Sequence, residues 1–220
     1  MIPRFAREAP FDRGPPRMAW DEWDIAPYYA DCDPAQLQRL VRLTPNANHA
    51  LVCACGYWIA ERFARLDPGG ETEAFLDVAS ASSYDAPRYE YFEIDEDDWR
   101  GPVRGPQALM ITIAVDALYC LADDPEPAVR VCYMFNLCRH VLDPDDAFLR
   151  WFEGAVARME AAHPRRTPAA PAPLAPPDYG EPVPMTAFDL DRPYHPQDAA
   201  ADFARAVARI APENPFLARF

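Results

Sequence analysis

From residue 33 onward, apolar side chains recur at helical spacing and are punctuated by prolines. Asp33-Pro34 offers a capping carboxylate followed by proline at the first helical position, and Leu37, Leu40, Val41 and Leu43 then form one stripe. Thr44-Pro45 ends that helix, and Asn46 or Asn48 is positioned to cap the next. Its apolar positions include Leu51, Val52, Cys55, Trp58, Ile59, Phe63 and Leu66, before the strong stop Asp67-Pro68-Gly69-Gly70. A shorter helix is predicted over Glu71–Ser80, with Phe75, Leu76 and Val78 inward.

Three longer helices follow. Pro106–Ala122 is apolar nearly all round, which marks it as the centre of the core, and Asp116 alone interrupts it. The next runs from Asp124-Pro125 to Leu142, and the third from Asp143-Pro144 to about Ala162. A last amphipathic helix, about Pro196–Ile210, places Phe203, Val207 and Ile210 on one side. The predicted fold class is all-α, built from antiparallel helical hairpins or a bundle; no fixed-period repeat indicates a solenoid.

The helical period lapses in three places. Residues 1–32 are rich in proline, arginine and aromatics and read as an irregular arm that lays its rings on the body. Residues 84–100 read as a short β-hairpin, with Tyr89 and Tyr91 on one face, or as an ordered loop. Residues 163–184 are too dense in proline for helix and read as an extended segment. The expected organisation is therefore the arm (1–32), a helical core domain (33–162), a proline-rich segment (163–195), and a C-terminal helix whose apolar tail docks on the core (196–220).

Composition narrows the function. The 220 residues are half apolar, so a sizeable core is available, yet the formal net charge is -14 and all 21 basic residues are arginine. Lysine codons are AT-rich, and the abundance of Ala, Arg and Pro makes base composition the simplest reason for the missing lysine. The acidic balance argues against direct nucleic-acid binding and against anionic membranes. No apolar leader stands in residues 1–10, and Ala108–Ala122 is short for a membrane span and carries Asp116. The expectation is a cytoplasmic protein whose six cysteines are reduced.

Candidate chemistry is sparse. His49 and His140 sit at predicted helix ends, and a helix C-terminus itself accounts for a histidine such as His140. His163 and His195 lie beside prolines. Cys53 and Cys55 are two apart on an apolar helix and face different directions, which suits core thiols better than zinc ligands. There is no nucleophile elbow, no P-loop and no glycine-rich dinucleotide fingerprint. Asp95, Asp97 and Asp98 lack the turn glycine and terminal glutamate of a calcium loop. No catalytic residue, metal or cofactor is expected. Asp116 is the one singular carboxylate, either buried with a partner or on the only wet stripe of its helix.

The acidity is concentrated. Asp67–Trp99 holds eleven acids against one base, Arg88, interleaved with Tyr84, Tyr89, Tyr91, Phe92 and Trp99. Carboxylates steer a basic partner, and Tyr and Trp are common interface anchors. The expected partner-binding set is Tyr89, Glu90, Tyr91, Glu93, Asp95, Glu96, Asp97, Asp98 and Trp99, acting on a basic protein. In this acidic segment and its lack of catalytic motifs, the chain resembles, in general character, the bacterial immunity proteins encoded beside polymorphic toxins. That resemblance implies masking of a toxin enzyme's active site or substrate groove. The alternatives are a helical scaffold recruited through Pro164–Pro184 and a carboxylate-dependent enzyme centred on Asp116.

Overall fold

The computed structural model describes the whole chain except residues 84, 96, 124, 166–177 and 219–220. Among the described residues the fold is all-α: α1 (Arg4–Arg7), α2 (Pro34–Val41), α3 (Pro45–Phe63), α4 (Glu71–Ala79), α5 (Gly101–Tyr119), α6 (Glu126–Val141), α7 (Asp146–Ala162) and α8 (Ala199–Val207). None of these helices is long and apolar enough to cross a membrane.

The central helix is α3, which packs most extensively on α6 and α5, and not the Pro106–Ala122 helix expected from its apolar surface. Every residue of α3 except Glu61 is buried. Small side chains let the neighbours close in; a methyl on Gly56 would lie 2.9 Å from Leu76 Cδ2 and 3.1 Å from Met110 Sδ. Several of its polar side chains are buried against backbone carbonyls. Asn48 Nδ2 donates to Leu40 O at 3.0 Å, and Asn46 Nδ2 to Gly180 O at 2.7 Å. Arg62 donates to Gly14 O at 2.7 Å and to Val141 O at 3.2 Å.

Helix starts follow the cap chemistry. Asp33 accepts from Ala35 N at 2.9 Å, as its position before Pro34 predicts. Thr44, not Asn46 or Asn48, caps α3 by accepting from Ala47 N, because both asparagines already lie inside the helix and bond elsewhere. Helix α5 begins five residues before Pro106, at Gly101, whose φ of 80° only glycine adopts freely. Pro102 then falls in the first turn, where its missing N–H costs nothing.

The arm is tied down along its length. Phe5 stacks on Trp151 at 5.1 Å, and Phe11 packs on Trp58 at 5.6 Å. Residues Ala26–Tyr29 form a 3₁₀ turn against α6. At its end Cys32 forms a disulfide with Cys132 of α6, with Cα atoms 5.1 Å apart. The expectation of six reduced thiols is therefore corrected to four free cysteines and one bridge. The pair is 100 residues apart in sequence, a separation that only the docked arm brings to bonding distance.

The described residues of 85–100 form a loop and not a hairpin; the sole strand pairing among them is an isolated bridge between Ser83 and Ala86. The alternation fails because Tyr89 and Phe92, three apart, both turn inward onto Phe75. The C-terminal tail docks on the same place: Phe216 meets Phe75 at 5.5 Å and Phe92 at 5.7 Å, and Ala218 N donates to Arg88 O at 2.8 Å. Most of the proline-rich segment, 166–177, lies outside the described residues; residues 178–184 contain no helix.

Candidate functional site

The arm, remote in sequence, closes on the acidic loop and on α5, into which that loop runs, to enclose a cleft of about 350 Å³. Its floor is a stripe of α5 at helical spacing, the buried Gly105 followed by the half-exposed Ala108, Thr112 and Asp116. The first three side chains are small, and this leaves the volume. The arm supplies a wall of Trp20, Trp23, Ile25 and Tyr29, and the acidic loop supplies a lip that includes Tyr91, Glu93, Ile94 and Trp99.

The wall is placed by contacts of its own. Glu22 accepts from Gly101 N at 2.5 Å, which stitches the arm to the start of α5 and holds the Glu22 carboxyl below its ordinary pKa. Trp20 stacks on Tyr28 at 5.5 Å, and His140 Nε2 donates to Ala19 O at 2.8 Å. A Cβ on Gly105 would overlap the Trp20 indole, so the wall lies as close to α5 as a bare backbone allows.

Exposed rings gather at the mouth. Among the described residues, the large hydrophobic side chains open to solvent are Met1, Trp23 (87%), Tyr91 (54%) and Tyr119 (44%). Trp23 and Tyr91 line the cleft, and Tyr119 sits edge-to-face on Tyr91 at 5.4 Å.

Carboxylates outnumber cations in the lining: Glu22, Glu93 and Asp116 face a single arginine, Arg100. Asp116 lies 3.8 Å from Arg130 Nε, while that guanidinium is held at 2.6 Å by Glu126. Burial raises the Asp116 pKa, and Arg130 opposes the rise. Thus Asp116 is both things its sequence position allowed, a partnered carboxylate on the wet stripe. Among the described residues no hydrogen bond reaches its oxygens.

The expected partner-binding set is divided. Tyr91, Glu93 and Trp99 line the cleft, and Glu90, Asp95, Asp97 and Asp98 are exposed on the same loop. Tyr89 is corrected from surface anchor to core residue: it is 1% exposed, and its hydroxyl donates to Ala114 O at 3.3 Å. Glu96 lies outside the described residues. The acidic run is divided as well. Arg104 pairs with Asp67 at 3.2 Å and with Glu71, and the Met1 amine pairs with Asp77 at 2.7 Å and Glu73 at 2.9 Å. Asp97 pairs with Arg100 at 2.5 Å. Among the described residues no ion pair engages Asp85, Glu90, Glu93, Asp95 or Asp98, so the uncompensated charge of the run lies on the loop that supplies the lip of the cleft, with Glu93 in its lining. Trp23 and Tyr119 escaped sequence reasoning; the small-residue spacing that ends at Asp116 was the available signal.

His49 Nε2 lies 3.7 Å from Cys53 Sγ, both wholly buried; burial lowers the histidine to about 4 and pushes the thiol up, so both stay neutral. Among the described residues no three His, Cys, Asp or Glu side chains converge as metal ligands. Comparison with protein-family models, with curated proteins and with solved structures finds no match.

Proposed function

We propose that this protein acts by binding a basic protein through the mouth of the α5 cleft. The observation that carries this reading is the cluster of Trp23, Tyr91 and Tyr119, exposed beside the uncompensated Glu90, Glu93, Asp95 and Asp98. Exposed large rings cost free energy unless something covers them, and they are the side chains that dominate protein interfaces. The surrounding carboxylates favour a partner of opposite sign and speed its approach. In its finer form the proposal is an immunity-type role, in which the bound partner is an enzyme whose active site or substrate groove is masked.

A photocrosslinking residue at Glu90, used in the native host, tests it. The expected product is a protein with an isoelectric point above about 9, lost with the Trp23→Ala/Tyr91→Ala double variant and weakened by salt. For the immunity-type form, the purified partner must lose its enzymatic activity when the wild-type protein is added. Equal capture by the double variant at low and high salt would overturn the reading.

A further inference from the structure

The contents of the cleft point past its mouth. We propose that it receives an arginine side chain carried on an extended segment of the basic partner, with the guanidinium directed to Asp116; this rests on the binding role proposed above.

The first argument is charge. The lining brings three carboxylates against one arginine, and that arginine, Arg100, is engaged by Asp97. Asp116 is half-buried and stands near Arg130, yet its oxygens accept no hydrogen bond among the described residues, and Arg130 Nε donates none. A half-buried carboxylate with open acceptor positions is matched by a guest that donates several N–H groups in a plane.

The second argument is the aromatic lining. A guanidinium is flat, weakly hydrated and able to lie on a ring while its edge bonds a carboxylate, whereas an ammonium is compact and strongly hydrated. The protein already uses this pairing on itself: Arg104 lies 4.3 Å from the Trp99 ring centroid and Arg130 5.3 Å from that of Tyr133. Trp23 and Tyr91 offer the same chemistry at the entrance.

The third argument is length. Gly105 to Asp116 covers about 16 Å along the helix axis, a span matched by about five residues of extended peptide. A single side chain leaves most of that floor bare, whereas a strand-like segment with arginine at one end fills it.

The test uses the full chain and capped pentapeptides that differ only at one end residue, made with it at either end: arginine, lysine or the neutral isostere citrulline. Tryptophan fluorescence reads the titration. The arginine peptide is expected to saturate, with lysine and citrulline each weaker by about tenfold or more. Glu93→Gln and Asp116→Asn are each expected to weaken it several-fold, with wild-type circular dichroism confirming the fold. Equal binding of the citrulline or lysine peptide overturns the proposal, as does no saturable binding of the arginine peptide or unchanged affinity in both variants. Crosslinked capture separates this failure from failure of the binding role. If the partner is still captured by Asp116→Asn and Glu93→Gln but not by Trp23→Ala/Tyr91→Ala, the surface reading stands and the arginine-accepting cleft falls.

Discussion

The Asp116 carboxylate lies 3.8 Å from Arg130 Nε without a hydrogen bond between them. Arg130 is satisfied mainly by Glu126, so Asp116 receives attraction without full compensation for its burial. Its folded pKa is therefore raised above the ordinary 3.8. With the folded value above the unfolded one, the folded state holds the proton more tightly, and Asp116 costs stability once pH rises through that value. Asp116→Asn is expected to melt at or above the wild-type temperature at pH 7, with the advantage vanishing below pH 3.8. Loss of more than about 1 kcal/mol in the variant would show that the Arg130 contact stabilises the fold instead.

Gly105 sets how closely the arm approaches α5. In Gly105→Ala the new methyl meets the Trp20 indole, and the ring must move. The expected outcome is a red-shifted tryptophan emission and a loss of about 1–3 kcal/mol in denaturant unfolding. An unchanged spectrum and unchanged midpoint would mean that the wall does not rest on the helix.

His49 is buried and neutral, its pKa lowered to about 4 from 6.5 by desolvation. The unfolded chain takes up this proton first, so stability declines as pH falls from 6.5 toward 4, by about 3 kcal/mol in full. His163, also lowered by burial, acts in the same direction. His49→Leu should flatten most of the stability decline measured by urea unfolding between those pH values. A slope equal to wild type would place the acid sensitivity elsewhere.

Helices were legible where a stripe and a cap agreed, as at Asp33-Pro34 with Leu37 and Leu40. The centre of the core was misplaced, because all-round apolarity favoured Pro106–Ala122 over α3. Asn46 and Asn48 were read as cap candidates, whereas both lie inside α3 and, like Arg62, bond the Gly180, Leu40 and Val141 carbonyls, partners that cannot be read from spacing. The acidic loop was located correctly, but the direction of its rings was not: Tyr89 and Phe92 follow the demands of Phe75 and Phe216, which come from distant parts of the chain. The cleft itself was invisible for the same reason. Asp116 on its floor and Tyr91, Glu93 and Trp99 on its lip stood out singly, but the wall of Trp20, Trp23, Ile25 and Tyr29 comes from the remote arm, and nothing in the spacing brings it to α5.

The Cys32–Cys132 bridge closes just three residues after Tyr29, the last wall residue of the cleft. Three residues of chain reach about 10 Å at most, so Tyr29 is leashed to α6 while Trp20 and Trp23 lie farther along the tether. A leash of that length keeps the wall at a high effective concentration over its floor even when its own contacts open. Reducing surroundings dissolve that advantage and leave the wall to rings and hydrogen bonds alone. The redox state of the surroundings is thus a variable that sets how long the cleft stays assembled.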